Sequence, residues 1–302
     1  MIASLDVAAF RSAKPFPHLV LDDMLPAGDA EALLEHSREL SGRGGWVRYQ
    51  HVNERKRGWP RLDLLPEPAR VVCERMTSTA FLRELSRLVD VELVADADGA
   101  GLYEMGPGGR LNVHVDFIAH RLDRHLRRRL NLILFLERWP ADYGGELELW
   151  PDDMSEPKRI SPAPNRAVIF ETTRRSWHGV SPVSLEAVYP RRTLALYYYE
   201  RVPELQRAQA TRYRPRPWDS LSKRALMALD QLALEVYARV KRATGLSDAR
   251  AGQAMGLGVL AAIGLALILS SAYMILLAVR GDCEDGRGEP AICAWLDAGL
   301  AR

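Results

Sequence analysis

Apolar residues along this chain repeat with two different periods, and each period predicts a different kind of element. Residues 16–21 read as a short strand, and Pro26 with Asp29 opens a helix whose apolar stripe includes Ala32, Leu33 and Leu40. Two further helices are predicted over residues 66–76 and 79–88, where Val71, Val72, Met76, Leu82, Leu85 and Leu88 fall at helical intervals. From Glu92 to Tyr199 short apolar runs alternate with Gly and Pro turns, the pattern of an all-β core with helices packed on one side. The helical period returns over 218–240. There Leu221, Leu226, Leu229, Ala233, Val236 and Val240 lie near one face, with Lys223, Arg224, Asp230, Glu235 and Arg239 largely elsewhere. The partner of that stripe is the domain itself, another helix or a membrane surface, and packing on the domain is the simplest expectation.

Residues 253–279 contain no charged side chain, and about 20 apolar residues suffice to cross a bilayer. A transmembrane helix is expected over 251–280, with a short tail at 281–302. Arg239, Lys241, Arg242 and Arg250 precede the span, whereas Asp282, Glu284 and Asp285 follow it, so the positive-inside rule places the N-terminal part in the cytoplasm and the tail outside. Gly252 and Gly256 form a small-residue pair of the kind found where membrane helices dimerise, which makes a homodimer through this helix a candidate assembly. The opening residues carry Asp6 and lack a signal-peptide pattern. Cys73 is expected to be a buried core thiol, while Cys283 and Cys293, both in the tail, are free to pair in an oxidising compartment.

With 302 residues, 47% hydrophobic and 26% charged, the chain suffices for one substantial domain with appendages. A net charge of +2 gives no reason to expect a nucleic-acid partner. The expected organisation is a strand and supporting helices in 1–90, a β core in 91–205, and a juxtamembrane helix and linker in 206–250, followed by the span and tail. Residues 42–65 are polar, aromatic and irregular, and read equally as a substrate-facing lid or as a solvated connection.

The chemistry sits in the β region. In a strand, residues two apart share a side, so His114 and Asp116 both aim one way. His178, from a distant strand preceded by Ala167-Val168-Ile169-Phe170, completes a set of two histidines and one carboxylate. Such a facial set holds iron(II) with open positions opposite. Arg191 and Arg192 then lead a strand that ends in Tyr197-Tyr198-Tyr199, and a guanidinium at its mouth suits bidentate grip of a carboxylate.

From about Leu102 to Glu200 the sequence resembles the iron(II)/2-oxoglutarate-dependent dioxygenases, in their prolyl 4-hydroxylase-like branch. The resemblance rests on the Tyr103 strand, His114-Val115-Asp116, Leu130 to Leu136, Gly144-Gly145-Glu146-Leu147-Glu148-Leu149, Trp177-His178-Gly179-Val180 and the arginine-led last strand, in that order. It implies an α+β fold with a double-stranded β-helix (jelly-roll, cupin-like) core. It also implies Fe(II) bound by His114, Asp116 and His178, with 2-oxoglutarate and O2 as co-substrates and ascorbate as a reductant. Arg192 matches the family's carboxylate-binding position when the strand is counted back from its aromatic end. It also shares a face with Leu194, Leu196 and Tyr198, so it is preferred over Arg191. Phe135 stands near the family's assisting tyrosine without a hydroxyl, which leaves Tyr103 or Asn131 to substitute.

The implied reaction converts 2-oxoglutarate and O2 to succinate and CO2 and hydroxylates a C–H bond of a protein, peptide or small molecule, a prolyl ring first among them. Because the carboxylate ligand is Asp116, no position is vacated for chloride and halogenation is disfavoured. The basic run Arg121, Arg124, Arg127, Arg128 and Arg129 reads as a solvated or lipid-facing loop, or as a cationic rim for an anionic substrate. A membrane-held sensor of oxygen, iron or 2-oxoglutarate is the alternative function, distinguished from the enzyme by absence of turnover.

Overall fold

The computed structural model describes residues 5–60, 62–120, 122–206 and 211–244. The chain divides into Met1–Leu234, treated below, and Glu235–Arg302, of which only the end of one helix lies among the described residues. In order, the elements are α1 (Val7–Ser12), β1 (His18–Leu21), α2 (Ala27–Ser41), β2 (Val47–Gln50), β3 (Glu54–Trp59), α3 (Glu67–Met76) and α4 (Thr79–Val89). There follow β4 (Leu93–Met105), β5 (Arg110–Val115), β6 (Leu126–Phe135), β7 (Leu147–Trp150), β8 (Lys158–Ile160), β9 (Ala167–Glu171), β10 (Trp177–Val180), β11 (Arg191–Arg201), β12 (Arg212–Tyr213) and α5 (Leu221–Thr244).

The strands form one curled sheet in the order β1-β9-β6-β11-β4-β3-β5-β10-β7-β8, with β2 added on β3 and β12 on β5. Every pairing is antiparallel. The curl is consistent with a jelly-roll, double-stranded β-helix core in an α+β domain.

The helices form where the periodicity puts them. Ser78 caps α4 by accepting from the Phe81 amide, and Asp90 closes it in the left-handed region at φ 57°. Leu85, Leu88, Val72 and Met76 then join Leu194, Leu196 and Tyr198 of β11 and Leu130, Leu132 and Leu134 of β6 in the main core. The helices therefore cover one face of the sheet and leave the other free to line a cavity.

Residues 42–65 are neither a lid nor a solvated connection alone. They build the β2–β3 hairpin, and β3 enters the sheet between β4 and β5. Trp46 meets Trp59 edge-on at 5.9 Å, and Arg57 donates to Glu104 at 2.7 Å and to the Ser41 carbonyl at 2.9 Å, which seals the hairpin to α2.

The predicted amphipathic helix is α5, but Leu221, Leu226 and Leu229 of its stripe do not pack on the domain. Met227 is buried, and polar groups contact the β2–β3 turn. Asp230 Oδ2 lies 2.8 Å from His51 Nδ1 and accepts from Asn53 Nδ2 at 2.6 Å. Leu221, Leu226, Leu229 and Leu232 face solvent. Among the described residues no helix is long and apolar enough to cross a membrane, and the expected span at 253–279 lies outside them. Cys283 and Cys293 lie outside them as well.

Two outcomes follow from buried titrating groups. Burial pushes the Cys73 thiol up to about 12. Iodoacetamide at pH 8 should therefore leave the peptide carrying Cys73 unmodified in the folded protein and alkylate it in denaturant, as read by peptide mass mapping. Burial works against a charged His51, but Glu54 and Asp230 outweigh it and raise its pKa above 6.5. The sign is that of a raised cation: the α5 tether is complete below 6.5 and weakens as pH rises through the folded value. Hydrogen exchange in α5, corrected for intrinsic rates, should lose protection on going to alkaline pH, and Asp230→Asn should show the loss already at neutral pH.

Candidate metal centre and carboxylate pocket

Strand pairing brings the three candidate ligands together. His178 is the direct cross-strand partner of His114, and Asp116 follows β5 by one residue. Gly179 makes this approach possible, since a Cβ there would sit 3.0–3.1 Å from backbone atoms of Leu111 and Val113. His114 Nε2 lies 3.4 Å from Asp116 Oδ1, and His178 Nε2 lies 3.6 Å from Asp116 Oδ2. All three ligand atoms fall within 4.8 Å of one another, close enough for the set to share one ion after small side-chain adjustments.

The surroundings prepare these groups for a cation. His114 Nδ1 donates to the Asn112 carbonyl at 3.0 Å and His178 Nδ1 to the Ser176 carbonyl at 2.9 Å, which leaves both Nε2 lone pairs turned inward. Burial, and then the neighbouring His114 ring, push the His178 imidazole down to about 4, so it is neutral at physiological pH. Burial opposes ionisation of Asp116, but contact with His114 and the Arg128 charge hold its carboxyl well below the usual range. Asn131 donates to Asp116 Oδ2 at 2.6 Å and accepts from Thr172 at 3.1 Å.

Arg128 was unexpected here. A bulge in the β6–β11 pairing, where Tyr198 faces Leu130 but Tyr199 faces Arg128, shifts the alternation by one residue. The guanidinium is consequently buried 3.2 Å from Asp116 and lies over the rings of Phe117 and Tyr197, with centroid distances of 4.0 and 3.8 Å. Its neighbours in the basic run are structural: Arg127 and Arg129 pair with Glu200, and Arg124 donates to the Gln206 carbonyl. Arg121 lies outside the described residues.

The two arginines that open β11 part company. Arg192 donates to Glu104 at 3.0 Å, Glu137 at 2.7 Å and the Ser41 hydroxyl at 3.0 Å, on the helix side of the sheet. It therefore does not reach the metal cavity. It shares a face with Leu194, Leu196 and Tyr198, as strand alternation predicts, but that face is the one the helices cover. Arg191 lines the cavity with His114, Asp116, Asn131 and His178. It lies over the Phe135 ring at 4.8 Å, its buried Nε has no hydrogen-bond partner among the described residues, and desolvation pushes it down to about 9. A buried cation at neutral pH with no acid beside it is a fit for an incoming carboxylate.

Tyr103 also lines this cavity and is hydrogen-bonded to Tyr197, whereas the Asn131 amide is committed to Asp116 and Thr172. Lys56 is a further cation in the lining, 3.0 Å from Glu54 and 5.1 Å from the Tyr103 ring centroid. Alternation along Glu54-Arg55-Lys56-Arg57 would have put Lys56 on the opposite face from Arg55 and Arg57, but without the hairpin's place in the sheet that signal had no meaning.

Residues 100–199, which hold the whole ligand set and both arginines, match the model of the 2OG-Fe(II) oxygenase superfamily. The match covers most of the β core, from within β4 to within β11. Among solved structures, a prolyl hydroxylase from Trichoplax adhaerens in complex with a hypoxia inducible factor oxygen degradation domain peptide fragment is 19% identical. It covers 64% of this chain and 87% of its own, with a TM-score of 0.50. A Pseudomonas putida prolyl-4-hydroxylase is 16% identical over 66% of this chain and 97% of its own, with a TM-score of 0.49. A Phytophthora capsici prolyl 4-hydroxylase is 21% identical over 71% and 67%, with a TM-score of 0.44. At 19% identity the likeness to the Trichoplax adhaerens enzyme is one of fold alone. No curated protein matches the chain.

In a metal centre of this kind the hydrogen bond to the carboxylate ligand should matter to the metal more than to the fold. Asn131→Ala is expected to weaken Fe(II) or Co(II) binding about 10- to 100-fold in anaerobic calorimetric titration, while Asp116→Ala abolishes it. Normal metal affinity in Asn131→Ala would show that Arg128 alone orients Asp116.

Proposed function

We propose that this chain is a membrane-anchored Fe(II)- and 2-oxoglutarate-dependent hydroxylase whose co-substrate is held by Arg191. The observation that carries the reading is the buried Arg191 guanidinium, paired with no acid among the described residues, in the same cavity as His114, Asp116 and His178. Iron with 2-oxoglutarate and O2 supplies the oxidant, with release of succinate and CO2, and one oxygen atom enters a C–H bond of the substrate. The chain's own part is positional. Arg191 takes the distal carboxylate of 2-oxoglutarate in a charge-assisted pair, and Tyr103 is the hydroxyl within the same lining that assists it. Asn131 and Arg128 fix both the angle and the charge of Asp116. Met105, Leu111, Ile133, Leu147 and Val180 supply apolar wall that limits water in the cavity.

The substrate we assign is a protein side chain, with a prolyl ring the first to test and a small molecule the second. Ascorbate is the reductant to supply in assays. Anchoring rests on the uncharged run at 253–279, with the basic flank placing the catalytic domain in the cytoplasm, where 2-oxoglutarate and reduced iron are available.

Arg191→Leu should raise the 2-oxoglutarate concentration needed for half-maximal succinate formation about 10- to 100-fold, the factor expected for losing a hydrogen-bonded charge pair. Arg192→Leu should instead lower thermal stability, because it removes the buried cation shared by Glu104 and Glu137 and leaves them to Arg57 and Arg38, with the 2-oxoglutarate requirement of the folded fraction little changed. An unchanged requirement in Arg191→Leu would remove Arg191 from the co-substrate site.

A further inference from the structure

The part of α5 within the catalytic unit is amphipathic in an inverted sense. Its polar side faces the protein: Asp230 meets His51 and Asn53, and Gln231 accepts from the Tyr213 amide at 3.2 Å and donates to the Thr211 carbonyl at 3.3 Å. Its apolar side faces out, with Leu221 83%, Leu226 52%, Leu229 63% and Leu232 57% exposed. Ala225 and Ala233 are exposed among them. At 100° per residue these six positions share an arc of roughly 140°, wide enough for a continuous uncharged strip.

An arginine cluster lies beside the same helix. The bonds from Gln231 to the backbone of residues 211 and 213 hold α5 beside β12, and Arg212 and Arg214 flank Tyr213 with their guanidinium carbons 5.7 and 5.2 Å from the Trp177 ring centroid. Together with Arg174 and Arg175 from the turn before β10, they line one open depression of about 420 Å³. Asp152 is the only acid among its described lining residues, 3.7 Å from Arg175 and 4.0 Å from Arg214.

We infer that the exposed face of α5 and the Arg174, Arg175, Arg212 and Arg214 cluster together form a docking surface for an anionic lipid bilayer, with the leucines among the acyl chains and the arginines at the phosphates. Leucines on a helix face beside a cationic cluster are the chemistry of an interfacial helix. A second copy of the chain would bring the same four arginines to the contact, whereas lipid phosphates bring the opposite charge. The sequence also leaves α5 toward the uncharged run at 253–279, so the surface is continuous along the chain with the segment assigned above to the membrane. The surface itself consists of residues 174–233, and its test is independent of that assignment.

The test uses the full chain with Leu229→Cys carrying a polarity-sensitive dye, Cys283 and Cys293 replaced by Ser, and Cys73 left buried. Emission is read with vesicles of phosphatidylcholine alone and of phosphatidylcholine mixed with phosphatidylglycerol. In the mixed vesicles the dye should shift to the blue, be quenched by lipid-borne spin labels and be shielded from iodide. Arg212→Gln with Arg214→Gln should weaken the response about tenfold or more at low salt, and much less at high salt, as expected for roughly one to two kilocalories of phosphate contact screened by ions. A dye open to iodide in both vesicle types would overturn the proposal. So would shielding that needs no lipid and grows with protein concentration, which would assign the face to a second copy. Equal shielding in both vesicle types would overturn the role of the arginines. If the chain does not stay with membranes on carbonate extraction, the reading of 253–279 fails by itself, while the dye's response to added anionic vesicles still decides this one.

Discussion

The side-to-side alternation of β11 is the constraint on which the rest of the domain depends. This strand lies between β4 and β6 and pairs with both along most of its length. Leu194, Leu196 and Tyr198 point into the core shared with the helices, while Thr193, Ala195 and Tyr197 line the metal cavity. Arg191 and Arg192, adjacent in sequence, are therefore separated by the thickness of the sheet and have opposite electrostatic circumstances. Arg192 is matched by Glu104 and Glu137, as a buried structural cation must be, and Arg191 pairs with no acid among the described residues. An unmatched buried charge is costly to the fold, so its persistence points to a ligand that supplies the missing charge.

The same separation of roles extends to the carboxylate ligand. Asp116 is held from two directions, by the neutral Asn131 amide and by the Arg128 cation, and both come from β6. They occupy one strand with two residues between them, a spacing that simple alternation would put on opposite faces. The bulge opposite Tyr198 and Tyr199 reconciles them. A local irregularity in strand pairing thus brings a second group to the carboxylate, so that Asp116 is oriented from two directions and its ionised form is favoured.

At the other side of the unit, the β2–β3 hairpin serves two structures at once. Lys56 reaches the metal cavity, while His51, Asn53 and Glu54 lie at or near the contact with Asp230 of α5. The helix that presents an apolar face outward is thereby tied through one short hairpin to the lining of the site. The polar contact of α5 and the cavity thus draw on residues from one six-residue strand and the turn that precedes it.

Much of this protein was legible without coordinates because its signals are local. Strand alternation put His114 and Asp116 on one side, helical periodicity outlined α3 and α4, and the order of motifs from Tyr103 to Tyr199 identified a ligand set whose members the fold does bring together. What the sequence could not decide was which side of a strand is inside. Arg192 had the right companions, but only the packing of helices on Leu194, Leu196 and Tyr198 made that face the exterior of the cavity. Arg128 depended on a bulge, Lys56 on the sheet position of an irregular-looking hairpin, and the outward turn of the α5 leucines on polar contacts with His51 and the β12 backbone. Periodicity is a property of neighbours along the chain and fixes how residues divide between two faces. The identity of each face is set by contacts between residues far apart in sequence, and only the tertiary structure supplies those.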